Sequence, residues 1–149
     1  MKRNFRILMV DDDAEVLRAN EQYLTETGYE VCCAQTLESA RRKLHVPPDL
    51  ILLDVRLPDG SGYDFCRDVR KVSNVPIIFL TALGGDGDII GGLSLGGDDY
   101  IVKPCGMGVL GARIAACLRR RGLDGGRIDL PPLHIDIISG AVRMARGGG

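Results

Sequence analysis

Polar residues stand at the ends of four short apolar runs in this sequence. Short continuous apolar runs indicate parallel strands that are covered on both faces, and in such open sheets a ligand site lies beyond the carboxyl ends of the strands. We therefore expect the polar residues to converge at one edge of one sheet. They are Asp11 and Asp12 after the run at 7–10, Asp54 after 50–53, Thr81 after 77–80 and Lys103 after 100–102.

The three carboxylates in this set predict a bound cation. Asp11, Asp12 and Asp54 would repel one another and raise one another's pKa unless positive charge lies among them. Magnesium suits such a set, because Mg²⁺ binds through one or two carboxylates, keeps several waters and takes further oxygens from a phosphate group. One oxygen of Asp54 would stay free to attack phosphorus and form an acyl phosphate. Lys103 supplies a positive charge and Thr81 a hydroxyl donor for the transferred phosphoryl oxygens.

Each of these residues alone has a simpler structural explanation. The acids at 11–13 would cap the first helix, where free amides and the helix dipole favour negative charge. Asp54 would begin a turn, and Thr81 and Lys103 would be ordinary strand-end and loop residues. Their common placement at one predicted sheet edge favours a joint site.

Strand and helix patterns alternate five times along the chain. Gly28 predicts a left-handed end to the first helix, and Thr36 predicts the N-cap of the second. The alternation indicates an α/β protein with a doubly wound parallel sheet and right-handed crossovers. The predicted strands cover residues 6–10, 30–34, 50–53, 77–80 and 100–102, and the predicted helices cover 14–27, 36–44, 62–71, 86–95 and 107–121.

Length and composition indicate one main domain. The chain has 149 residues and a formal net charge of −1, so it has no global attraction to nucleic acid or acidic lipid. Its five cysteines include no C-x-x-C pair, which favours free thiols over a metal site or disulfides. No apolar segment has the length of a signal peptide or membrane span, so we expect a cytoplasmic protein without a membrane partner.

The composition changes near the end of the last predicted helix. We assign the main domain to residues 1–121. Residues 122–149 begin with a glycine-rich linker, after which alternating apolar residues and a Ser139-Gly140 turn predict a hairpin over 133–145. A lone hairpin is marginally stable, so we interpret it as the opening of a second domain.

Four segments resemble the motifs of bacterial two-component response-regulator receiver domains, and the resemblance covers roughly residues 5–121. The segments are 10–13, 53–62, 80–82 and 97–104. The resemblance implies a flavodoxin-like (βα)5 fold with strand order 2-1-3-4-5. It also implies that a sensor histidine kinase phosphorylates Asp54. The chain would then be a phosphoacceptor and not an enzyme in the usual sense, with Mg-dependent autophosphorylation from small donors and autodephosphorylation.

The resemblance also implies roles for individual residues. Magnesium would be held by Asp12, Asp54 and the carbonyl of Arg56, with Asp11 acting mainly through water. Thr81 and Lys103 would assist phosphoryl transfer.

Thr81 and Tyr100 would form a switch pair, and the Lys103-Pro104 peptide would be cis. Phosphorylation adds charge and acceptor oxygens. We expect Thr81 to move toward them and Tyr100 to turn inward, which changes the face made by the fourth helix, fifth strand and fifth helix.

The tail further resembles the OmpR/PhoB-type subfamily of transcription regulators, in which a winged helix-turn-helix follows the receiver. DNA would be bound only through that domain, which this chain lacks. In the subfamily the switching face forms a homodimer, and Asp98, Asp99 and Arg113 match charged positions of that face. Gly91 and Val109 depart from the subfamily, because they stand where a basic and an acidic residue usually form one more salt bridge.

Two alternative functions use the same sequence features. A haloacid-dehalogenase-like phosphatase would use Asp11 as its nucleophile and Asp13 as acid and base. That alternative leaves Asp54 unused, and we expect the chain to be too short for the cap domain that such a phosphatase carries. A flavodoxin-like flavin carrier shares the fold, yet three acids after the first strand would repel a cofactor phosphate.

Overall fold

Parallel strands and helices alternate through residues 4–122, the part of the chain that the computed structural model describes. The strands are β1 (Arg6–Val10), β2 (Glu30–Ala34), β3 (Leu50–Leu53), β4 (Arg56–Leu57), β5 (Gly60–Ser61), β6 (Ile77–Thr81) and β7 (Asp99–Val102). The helices are α1 (Ala14–Thr27), α2 (Leu37–Lys43), α3 (Gly62–Arg70), α4 (Asp86–Ser94) and α5 (Met107–Arg120).

The five longer strands form one parallel sheet in the order β2-β1-β3-β6-β7. This is the predicted order 2-1-3-4-5, counted without the two-residue strands β4 and β5, which form a separate antiparallel pair. The register places Val10 beside Leu53 and Leu53 beside Phe79. Asp11 and Asp54 therefore leave the sheet side by side.

Both faces of the sheet are buried. Alternate residues of each strand point to opposite faces, so a run such as Ile7-Leu8-Met9-Val10 supplies both cores. Ile7 and Met9 pack with α1 and α5 in one core, and Leu8 and Val10 pack in the other, which contains residues of α2 and α3. This double burial explains why the strands are continuously apolar.

Local caps set the helix boundaries. Asp13 caps α1 by accepting hydrogen bonds from the backbone N–H groups of Glu15 and Val16. The Thr36 side chain caps α2 by accepting a hydrogen bond from the backbone N–H of Ser39. Gly28 ends α1 with a φ of 113°, the left-handed conformation that glycine adopts without strain. Four helices end one residue earlier than predicted, because the residue predicted as the last of each helix is its C-cap. These C-caps are Leu44, Lys71, Leu95 and Arg121.

The predicted linker and hairpin after residue 122 lie outside the described residues. The domain boundary at 121 stays a prediction. Within residues 4–122, no helix is long and apolar enough to cross a membrane.

Candidate functional site

The carboxyl edge of the sheet brings the predicted polar residues together. Asp11 follows β1, Asp54 follows β3, Thr81 ends β6 and Lys103 follows β7. Asp54 is 8 % exposed and Thr81 is 1 % exposed, whereas Asp12 lies at the surface. The site is therefore a buried set of groups with one exposed acid at its opening.

Lys103 bridges the two buried acids. Its Nζ lies 2.7 Å from Asp11 Oδ2 and 3.2 Å from Asp54 Oδ2. Burial lowers the pKa of the Lys103 ammonium, but the hydrogen bond to Asp11 and the charges of both acids outweigh burial and raise the pKa above its ordinary value. The lysine is therefore a fixed positive charge between the carboxylates. The Lys103-Pro104 peptide is cis, as the resemblance implied.

Asp11 is held in place from two sides. Its Oδ1 accepts a hydrogen bond from the Asp13 N–H at 3.0 Å, and its Oδ2 accepts one from Lys103. Burial nevertheless raises the pKa of Asp11, because these two bonds only partly offset the loss of water around the charge. Additional positive charge at this edge would stabilise the ionised form.

Three acids form a group that can hold a metal ion. Asp11, Asp12 and Asp54 each offer a carboxylate oxygen, and these oxygens lie within 4.8 Å of one another. Arg56 begins β4 two residues after Asp54, with an exposed side chain. The set consists of hard oxygen donors, which suit a divalent cation such as Mg²⁺.

The loop after β3 fixes the Asp54 carboxylate. The Val55 N–H donates to Asp54 Oδ1 at 2.6 Å, and the Gly62 N–H donates to the Val55 carbonyl at 2.7 Å. A Cβ atom at Gly62 would clash with the Asp54 carbonyl oxygen, so a larger residue would displace this loop. Backbone packing thus sets the direction of the carboxylate.

Thr81 and Tyr100 meet at one loop residue. The Thr81 Oγ1 accepts a hydrogen bond from the Leu83 N–H at 3.3 Å, and the Tyr100 hydroxyl donates to the Leu83 carbonyl at 2.8 Å. The Tyr100 ring lies inward and is 8 % exposed. The sequence predicts the inward position as a result of phosphorylation, whereas the structure shows it while Lys103 is paired with Asp11 and Asp54. The switching role of the pair stays a prediction.

The charged residues assigned to the dimer face have partners within the chain. Arg113 Nη1 lies 2.9 Å from Asp99 Oδ1, at the surface of α5 and β7. Asp98 instead turns toward α3, where its Oδ2 lies 3.0 Å from Arg70 Nη2 and accepts from the Ile77 N–H. The same face exposes four large apolar side chains: Ile90, Leu93, Val102 and Val109.

Sequence patterns missed three residues that shape the site's surroundings. The Asp59 carboxylate accepts the N–H groups of Leu37 and Glu38, the first two residues of α2. Arg70 joins the end of α3 to the Gly96 carbonyl, and Tyr63 on α3 reaches Tyr100. Each of these contacts joins residues that are far apart in the chain, so no local or periodic sequence signal marks it.

A flavodoxin-like sheet with two buried acids, an exposed acid, a threonine and a bridging lysine at its carboxyl edge defines the receiver class of α/β proteins. The family described as "Response regulator receiver domain" matches residues 7–115. The chain therefore belongs to the response regulator receiver domain family. This membership leaves the phosphatase alternative without support.

Similar proteins agree with the family. A probable transcriptional regulator, ycf27, from Guillardia theta is 47 % identical over 116 residues, which cover 77 % of this chain and 46 % of that protein. The transcriptional regulatory protein YrkP from Bacillus subtilis (strain 168) is 44 % identical over 116 residues, covering 78 % of this chain and 50 % of that protein. The chain thus spans about half the length of these curated relatives.

Solved structures show the same fold. The crystal structure of a two-component response regulator from Clostridium difficile has a TM-score of 0.77 and 34 % sequence identity. The similarity covers 79 % of this chain and 98 % of that chain. The match therefore extends over a complete receiver-sized chain.

Proposed function

We propose that this chain accepts a phosphoryl group on Asp54 and that phosphorylation changes an output face formed by α4, β7 and α5. One observation carries the proposal: the Lys103 ammonium lies between the buried carboxylates of Asp11 and Asp54 at the carboxyl edge of the sheet. An oxygen of Asp54 attacks phosphorus, the bond from phosphorus to the leaving group breaks, and an acyl phosphate forms. Hydrolysis of that acyl phosphate returns the carboxylate.

The neighbouring side chains would stabilise the charge of the transferred group. Lys103 can bind a phosphoryl oxygen as a point charge, and the Thr81 hydroxyl can donate a hydrogen bond to another. Lys103 already contacts Asp54, and Thr81 is buried at the same edge of the sheet, where electrostatic interactions are stronger than in water. Positioning and charge therefore account for the catalytic part of the proposal.

Mg²⁺ is the cofactor that fits this site. Asp11, Asp12, Asp54 and the Arg56 carbonyl would hold it, with Asp11 acting mainly through water. The exposed position of Asp12 leaves room for the water ligands that Mg²⁺ retains. When bound, the ion would neutralise the acids and offset the negative charge of the phosphoryl group.

The proposed partners follow from the family. A sensor histidine kinase would supply the phosphoryl group in the cytoplasm, and transcription would be regulated through an OmpR/PhoB-type DNA-binding domain outside this chain. A homodimer through α4, β7 and α5 would cover the exposed apolar side chains of that face. Arg113 and Asp99, which pair within the chain, would then exchange partners across the dimer, whereas Asp98 would have to leave Arg70 to take part.

Intact-mass spectrometry tests the proposal directly. The protein is incubated with acetyl phosphate and Mg²⁺, beside Asp54→Asn and the matched surface variant Asp59→Asn. We expect a gain of about 80 Da, one phosphoryl group, in the wild type and Asp59→Asn but not in Asp54→Asn. The added mass should be labile to hydroxylamine and should not form when EDTA removes the metal. Labelling of Asp54→Asn would contradict the assignment of the phosphoacceptor.

A further inference from the structure

Tyr63 lies between the proposed switch residue and the output helix. It belongs to α3, and its hydroxyl oxygen lies 3.2 Å from the Tyr100 hydroxyl and 2.9 Å from the Asp88 carbonyl. Asp88 is in the first turn of α4. Tyr63 therefore contacts both the inward Tyr100 side chain and the helix that begins the output face.

The two hydroxyl groups cannot make all of their contacts at once. Each phenol carries one hydrogen, so the pair can donate only two hydrogen bonds. Three contacts each need a donated hydrogen: Tyr100 to the Leu83 carbonyl, Tyr63 to the Asp88 carbonyl, and one hydroxyl to the other. Two arrangements keep the bond between the hydroxyls. In one, Tyr63 donates to Tyr100, which donates to Leu83. In the other, Tyr100 donates to Tyr63, which donates to Asp88.

These arrangements end on different parts of the output region. Leu83 lies in the loop before α4, and Asp88 lies within α4. The inward Tyr100 can thus exchange its link to the loop for a link to the helix without losing the Tyr63 hydroxyl. Tyr63 provides Tyr100 with a partner in both cases.

Aromatic packing completes the inward position. The Tyr63 and Phe79 rings meet edge to face with centroids 5.4 Å apart, and the Phe79 and Tyr100 centroids are 5.7 Å apart. Burial and the hydrogen bond with Tyr63 raise the pKa of Tyr100 above its ordinary value. The Tyr100 phenol therefore keeps its hydrogen at physiological pH.

We propose that Tyr63 is a positioning residue of the switch, whose hydroxyl holds the Tyr100 ring inward and joins that position to the first turn of α4. The inference rests on the proposed function, because it assigns Tyr63 a part in signal output. The role of Tyr63 also predicts that the Tyr100 ring lies inward in the unphosphorylated protein, where its position can be measured without a phosphodonor.

Tyr63→Phe tests the hydroxyl alone, since the ring that packs on Phe79 is kept. Tyr23→Phe is the matched control, because it removes one phenol hydroxyl from α1 on the other face of the sheet. Proteins with ¹³C-labelled tyrosine rings are compared by NMR, and a soluble paramagnetic agent reports the exposure of Tyr100. We expect the ratio of inward to outward Tyr100 to fall about fivefold in Tyr63→Phe, the effect of about one net hydrogen bond.

The NMR and labelling results test the two proposals separately. Increased exposure of Tyr100 in Tyr63→Phe, with no change in Tyr23→Phe, supports the proposal. An unchanged Tyr100 in Tyr63→Phe, or an equal change in both variants, overturns it. Acetyl phosphate labelling of the same samples is read separately: an unlabelled wild type would overturn phosphorylation of Asp54, whatever the Tyr100 spectra show.

Discussion

Gly92 leaves the space that the inward Tyr100 ring occupies. A Cβ atom at position 92 would lie 2.9 Å from Cδ2 and Cε2 of Tyr100 and 3.1 Å from Cδ2 of Phe79. The neighbouring Gly91, in the same helix, would place a Cβ atom with nothing within 4 Å. Gly92→Ala and Gly91→Ala therefore apply the same chemical change to a filled and to an open position.

The two variants separate helix propensity from packing. Alanine in place of glycine within a helix stabilises by about 0.5–1 kcal/mol, and this gain is common to both positions. An extra methyl group in a filled core costs about 1–3 kcal/mol, and this cost applies only at position 92. We therefore expect Gly91→Ala to be stabilised and Gly92→Ala to be less stable than Gly91→Ala by about 1–3 kcal/mol.

Urea unfolding measures this difference. For a domain of this size the dependence of the unfolding free energy on urea is about 1–3 kcal/mol per molar, so the midpoints should differ by about 1 M. The Gly92→Ala protein should also show a more exposed Tyr100 in the folded state, because turning the ring outward relieves the contact. Equal stabilisation of both variants would refute the placement of the Tyr100 ring against α4.

Two further changes have defined outcomes. Arg70→Lys should lower the free energy of unfolding, measured by urea titration, by about 2 kcal/mol. Lysine cannot replace the hydrogen bonds of the Arg70 guanidinium to three backbone carbonyls and to Asp98. Unchanged stability would contradict this role. Hydrogen bonds from the N–H groups of Leu37 and Glu38 hold the pKa of Asp59 below its ordinary value of 3.8. The ionised carboxylate therefore stabilises the fold above about pH 3.8. This stabilisation is lost as the pH falls through the pKa of the folded state. Stability measured across that range should therefore fall less in Asp59→Ala, and parallel curves would count against the cap.

Local chemistry made much of the fold predictable. Asp13, Gly28 and Thr36 act on backbone groups within a few residues, so the helix boundaries they set were predicted to within one residue. The strands were predicted because both of their faces are apolar. The strand order was predicted from the receiver resemblance and not from the periodicity, since periodicity says nothing about which strands are neighbours.

The candidate site was predictable for a related reason. Parallel strands end at a common edge, so polar residues after several apolar runs must approach one another. The sequence thus indicated that Asp11, Asp54, Thr81 and Lys103 meet. It did not indicate that Lys103 lies closer to Asp11 than to Asp54, which depends on side-chain packing at the edge.

Other contacts join residues that are far apart in the chain. Asp59 caps a helix that begins 22 residues earlier, and Tyr63 meets Tyr100 across 37 residues. The sequence alone determined which side chains lie at the functional edge, because strand ends and caps are local patterns. Only the tertiary structure decided which hydrogen-bond partners they and their neighbours take, because those partners are brought together by packing between elements distant in the chain.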